Sequence, residues 1–124
     1  MSNRVTYEGS CHCGAVRFRF ASEPITAAMR CNCSICRRKN AVMSQRYFPK
    51  DDFELVTGAN ELSVYQFGDH DVEHLFCRHC GIYPFHGDDD HGYRVNLGCV
   101  DAIDDPPALV MRVFDGRDTW AYLD

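Results

Sequence analysis

Apolar and polar residues alternate with period two over several short stretches of the chain. The clearest is Ala15-Val16-Arg17-Phe18-Arg19-Phe20, in which apolar side chains fall on one side and arginines on the other. That period marks a half-buried strand, so Val16, Phe18 and Phe20 are predicted to face inward. Tyr93, Val95 and Leu97 alternate with Arg94 and Asn96 in the same way. Val5–Tyr7, Ile25–Met29, Val42–Phe48, Phe53–Val56 and Val110–Phe114 have strand composition. Leu62–Phe67 and Val72–Phe76 are predicted as a hairpin joined through residues 68–71, and Ile82–His86 as an edge strand interrupted by Pro84. A helical period is almost absent. One or two turns from Ile35 to Asn40, capped by Ser34, are the exception. Trp120 is expected to pack as a terminal plug. Short, evenly spaced strands without a repeat or linker predict an all-β class, in a single domain spanning residues 1–124.

Apolar residues make up 45% of the chain, enough to bury a core. The net charge of −5 argues against a nucleic-acid partner, which would call for a basic field. No apolar run is long enough to span a bilayer, so no membrane role is expected. The first eight residues contain no apolar h-region, which makes the cytoplasm the expected compartment. Compartment changes the meaning of the eight cysteines. In a secreted chain they would suggest four disulfides; in a reducing compartment they point to metal.

Three thiols fall within Cys31-Asn32-Cys33-Ser34-Ile35-Cys36, and Arg37, Arg38 and Lys39 follow at once. Positive charge and a helix start both favour the thiolate form, here at Cys36. Two half-sites lie elsewhere: Cys11-His12-Cys13-Gly14 and Cys77-Arg78-His79-Cys80-Gly81. The simplest partition joins Cys11, Cys13, Cys77 and Cys80 in one closed site and leaves Cys31, Cys33 and Cys36 as a second. A closed structural site uses four protein ligands, whereas a catalytic one keeps a position open. Zinc is favoured, two ions per chain, because it accepts all-sulfur tetrahedral sites; an iron–sulfur cluster is the lesser option. The triplet could also be a second structural site, completed by Cys99 or a histidine. Cys99 is otherwise expected to be a small buried core residue. His12 and His79 read as surface or supporting groups, and His86 and His91 as loop histidines.

The motifs, taken in order, carry a resemblance. C-x-C-G at Cys11, C-x-C-S-x-C-R at Cys31, C-x-x-C-G at Cys77 and a strand end from Asn96 to Asp101 resemble the glutathione-dependent formaldehyde-activating enzyme family, which also contains centromere protein V. The resemblance runs from about Gly9 to Trp120. It implies a β-tent of antiparallel sheets with two zinc sites and little helix. It also implies structural ligands at Cys11, Cys13, Cys77 and Cys80 and a catalytic site at Cys31, Cys33 and Cys36. The expected activity is a zinc-dependent carbon–sulfur lyase type acting on a small thiol adduct, with S-hydroxymethyl glutathione the candidate. Arg37, Arg38 or Lys39 would hold glutathione carboxylates by charge-assisted hydrogen bonds. Two other readings stay open. One is a non-catalytic zinc module that presents a sheet face to a protein partner. The other is a methionine sulfoxide reductase of related fold with Cys99 as its redox thiol, which requires a reactive, exposed thiol.

Overall fold

A computed structural model describes residues 4–68 and 72–123. The loop expected to close the 62–76 hairpin therefore lies, beyond Gly68, outside the described residues. The elements in order are β1 (Val5–Ser10), β2 (Arg17–Ser22), β3 (Ala27–Cys31), α1 (Ser34–Lys39), β4 (Met43–Ser44), β5 (Phe53–Thr57), β6 (Leu62–Tyr65), β7 (His74–Cys77), β8 (Phe85–Asp88), β9 (Gly92–Val95) and β10 (Val110–Phe114). Among the described residues three sheets form, ordered β1-β2-β5, β10-β3-β4 and β6-β7-β8-β9. The all-β expectation holds, and the pairings are antiparallel with one exception: β10 lies parallel to β3, opposing Phe114 to Cys31.

The alternation in β2 does what its period implies. Val16, Phe18 and Phe20 are buried while Arg17 and Arg19 point to solvent. Phe18 and Phe20 meet Phe48, Phe53 and Phe85 in an aromatic core, with Phe20 and Phe48 stacked at 4.6 Å between centroids. Large apolar area removed from water here supplies much of the driving force for bringing the sheets together.

Several sequence expectations are corrected. The 42–48 stretch pairs as a strand only over Met43–Ser44, with an isolated bridge from Phe48 to Tyr93. The hydroxyl of Ser44 intervenes, donating to the Arg46 carbonyl and accepting from the Val95 amide. Cys33, not Ser34, occupies the N-cap of α1, and no side chain caps that end. His86 is no loop residue: it lies in β8 with 5% exposure. Trp120 is no plug either, being 74% exposed. Its amide donates to the Asp115 carbonyl, which turns the chain back and holds the indole edge-on to Phe114.

Candidate metal centres

The two half-sites at Cys11 and Cys77 come together. The Sγ atoms of Cys11, Cys13, Cys77 and Cys80 all lie within 4.8 Å of one another. Cys13 Sγ is 3.7 Å from both Cys11 Sγ and Cys77 Sγ. A tetrahedral thiolate site with metal–sulfur bonds of about 2.3 Å has sulfur–sulfur edges of about 3.8 Å. The donor set therefore fits a metal ion. The turns explain the fit. Gly14 and Gly81 adopt left-handed φ values of 82° and 77°, which a side chain would resist. Main-chain amides then point at sulfur: Val16 N–H donates to Cys11 and His79 N–H to Cys77. Amides from Ile82 and Cys13 hold the Cys80 thiol down to about 6. His79 sits outside, its ring 2.5 Å from Glu61.

The triplet forms the second cluster, again with its three Sγ atoms within 4.8 Å. Cys31 ends β3, Cys33 caps α1 and Cys36 lies one turn in. The C-terminal segment holds this loop from outside. Asp115 accepts from Asn32 Nδ2 at 3.0 Å and from Thr119 Oγ1 at 2.9 Å, and Asn32 Oδ1 accepts from Arg117 N–H. These donors, the Asn32 amide foremost, hold the Asp115 carboxyl down to about 2. Gly116 leaves room for sulfur, since a Cβ there would meet Cys31 Sγ at 2.6 Å. Cys31 and Cys36 share a hydrogen bond that favours the thiolate on Cys31. The Cys36 thiol donates to Cys31 and lowers it to about 5, while Cys36 itself is pushed up.

This cluster opens onto a cavity of about 820 Å³ that the four-cysteine cluster does not line. Arg37 and Lys39 line it, as do Tyr47, His74, His86 and Arg94. Arg38 turns back onto its own helix and donates to the Ser34 carbonyl. The Lys39 ammonium sits 3.6 Å over the Tyr83 ring, where burial lowers its pKa and the three nearby sulfurs oppose that shift. Cys99 lies apart from both clusters, its thiol raised to about 12 chiefly by burial. It is half-buried and packs against the core rather than being fully buried as expected, and its raised pKa makes it a poor redox nucleophile.

A family model for the glutathione-dependent formaldehyde-activating enzyme matches residues 6–115. The chain belongs to this family. A Halomonas elongata protein named for the same enzyme is 44% identical over 61 residues, a stretch covering 48% of this chain and 39% of that protein. A crystal structure of a Rhodobacter sphaeroides protein superposes with a TM-score of 0.73 at 35% identity, covering 84% of this chain and 97% of that one. Both cysteine clusters of this family member could hold metal ions. Asn32, Asp115 and Gly116 around the triplet escaped the sequence reading, as did the buried His74. The alternation Val72, His74, Phe76 would have flagged His74 as an inward polar group.

Proposed function

We propose that the protein uses two zinc ions and catalyses the reversible addition of the glutathione thiol to formaldehyde, giving S-hydroxymethyl glutathione. In the direction of breakdown this is a carbon–sulfur lyase reaction. One observation carries the reading: three sulfurs converge on a large cavity, whereas four converge where the cavity does not reach. Four ligands make a closed site and three leave a tetrahedral position for an exogenous group. Zinc held by Cys31, Cys33 and Cys36 would supply the charge that lowers the pKa of a bound thiol, so that its proton is readily given up in the addition.

The chain's own residues then orient the partner. Lys39 and Arg37 border the cavity beside the sulfurs and suit the glutathione carboxylates. Arg38 does not line the cavity and adds only positive field from the outer face of α1. Phe67 and Trp120 give the cavity apolar surface that excludes water from part of its wall. The test is the rate of glutathione loss on mixing with formaldehyde. Protein purified without chelator should accelerate it, and removal of the triplet's metal should abolish the acceleration. No acceleration over buffer at any protein concentration would refute the assignment.

A further inference from the structure

A line of four hydrogen-bonded side chains runs through the cavity wall. Tyr47 Oη is 3.0 Å from His86 Nε2. His86 Nδ1 is 2.7 Å from Tyr83 Oη, and Tyr83 Oη is 2.7 Å from His74 Nδ1. Tyr47, His86 and His74 line the cavity, and Tyr83 lies behind them. Both imidazoles are neutral. Burial, followed by the Lys39 charge, lowers His74 to about 4; the same two causes and then Arg94 hold His86 well below its ordinary range. Burial keeps both tyrosines protonated.

Proton counting now constrains the line. A neutral imidazole has one N–H and one lone pair, and a phenol has one O–H. Tyr83 lies between two Nδ1 atoms, so it accepts from one and donates to the other. If His86 donates from Nδ1, His74 must accept at Nδ1 and carry its proton on Nε2. If His74 donates, the assignments reverse, and His86 Nε2 donates to Tyr47. The two histidines therefore carry opposite tautomers and exchange them together. Packing alone would not call for this, since phenyl rings would fill the same space without four polar groups to satisfy.

We propose that Tyr47, His86, Tyr83 and His74 form a proton relay that carries the substrate thiol proton to the carbonyl oxygen. This rests on the thiol-addition reading above. In the addition the sulfur lone pair forms the S–C bond, and the C=O π pair moves onto oxygen. Tyr47 and His74 are the two ends of the line and both border the cavity; the thiol is assigned to the Tyr47 end. The thiol proton enters at Tyr47 Oη, whose own proton passes to His86 Nε2. The Nδ1 proton of His86 passes to Tyr83, and the Tyr83 proton passes to His74 Nδ1. The Nε2 proton of His74 completes the new hydroxyl. Every relay residue ends neutral, nothing is oxidised, and breakdown runs the same path backwards. Exchange with water at the two ends restores the starting tautomers.

The experiment pairs imidazole 15N NMR with kinetics on the zinc-loaded full chain. Wild type should show opposite or jointly exchanging tautomers at His74 and His86. Tyr83→Phe, which keeps the ring beneath Lys39, should uncouple them. It should also lower kcat for glutathione–formaldehyde condensation by about 100-fold, the size expected for lost general acid–base help. KM for glutathione should stay within twofold, and a curved proton inventory should become linear. If Tyr83→Phe fails to fold, Tyr47→Phe at the end of the line serves in its place, with the same kinetic expectation. Identical tautomers at both histidines in wild type would overturn the relay. So would an active Tyr83→Phe enzyme with unchanged kcat. If wild type does not accelerate condensation, the reaction assignment fails and the thiol-to-carbonyl relay fails with it, while the NMR arm still shows whether the two tautomers are coupled.

Discussion

Cys13 and Cys77 are 64 residues apart and touch, whereas Cys31, Cys33 and Cys36 fall within one short turn and helix start. The ligand chemistry is the same; the consequence of binding is not. A metal ion held by Cys11, Cys13, Cys77 and Cys80 would close a long loop and tie the β1–β2 turn to the turn after β7. Its binding free energy is folding free energy. A metal ion on the triplet closes almost no loop. The triplet is already placed by β3, α1 and the Asp115 hydrogen bonds, so its binding free energy remains available for chemistry. Burial varies within the four-cysteine cluster itself, where Cys13 is exposed and Cys80 half-buried. Cys11 and Cys77 are 2% and 0% exposed, while all three triplet cysteines are half-buried beside a cavity.

The largest effect should come from Cys77→Ser. Breaking the closed site should cost on the order of 5 kcal/mol, comparable with the whole stability of a domain this size. Soluble expression and urea denaturation measure it. A Cys77→Ser protein with unchanged midpoint would erase the division between the clusters. Cys33→Ser should behave oppositely: a folded chain, metal content reduced from two ions to one, and condensation activity at background. Elemental analysis and near-ultraviolet circular dichroism read both sides of that expectation.

Gly116→Ala probes the triplet without removing a ligand. Its Cβ would press on Cys31 Sγ and lie 3.2 Å from Cys33 Cβ. Metal affinity there should fall about 10-fold, in the range for altered surroundings of a ligand set. The four-cysteine site should keep its affinity, as a chelator competition would show. The smallest effect concerns pH. His74 is depressed to about 4 from an ordinary 6.5, so between those values the unfolded chain binds more protons than the folded one. Stability should fall as pH drops through that window. The contribution is under about 1 kcal/mol per pH unit, less than the full 1.4 because the ring borders a cavity. The difference between wild type and His74→Phe isolates it, since metal release is common to both. Parallel stability curves for the two proteins would contradict a neutral His74.

What could be read from the sequence was local. Val16, Phe18 and Phe20 declared themselves by period, Val110–Phe114 by composition, and the cysteine partition by C-x-C and C-x-x-C spacing. What could not be read depended on distant partners. Nothing near Ala27 indicates that β10 will lie parallel to it. Nothing near Asn32 indicates that Asp115, 83 residues on, will hold it. The relay residues are isolated polar positions in strands and loops, and only three-dimensional proximity turns them into a chain. Trp120 misled because a large apolar residue near a terminus resembles a core residue. Its place was decided by backbone hydrogen bonds to Asp115.

The contrast between a closed and an open cluster is tested most directly by cadmium-113 NMR of the doubly loaded protein, titrated with glutathione. Two resonances are expected. One should be characteristic of four thiolates and unmoved by any ligand. The other should be characteristic of three thiolates with a lighter fourth donor, and should shift toward the four-thiolate position as glutathione is added. S-methyl glutathione, which has no free thiol, should leave the second resonance where it was, and Cys33→Ser should remove that resonance alone. Two four-thiolate resonances before any glutathione is added, both indifferent to it at millimolar concentration, would contradict an open thiol-binding centre.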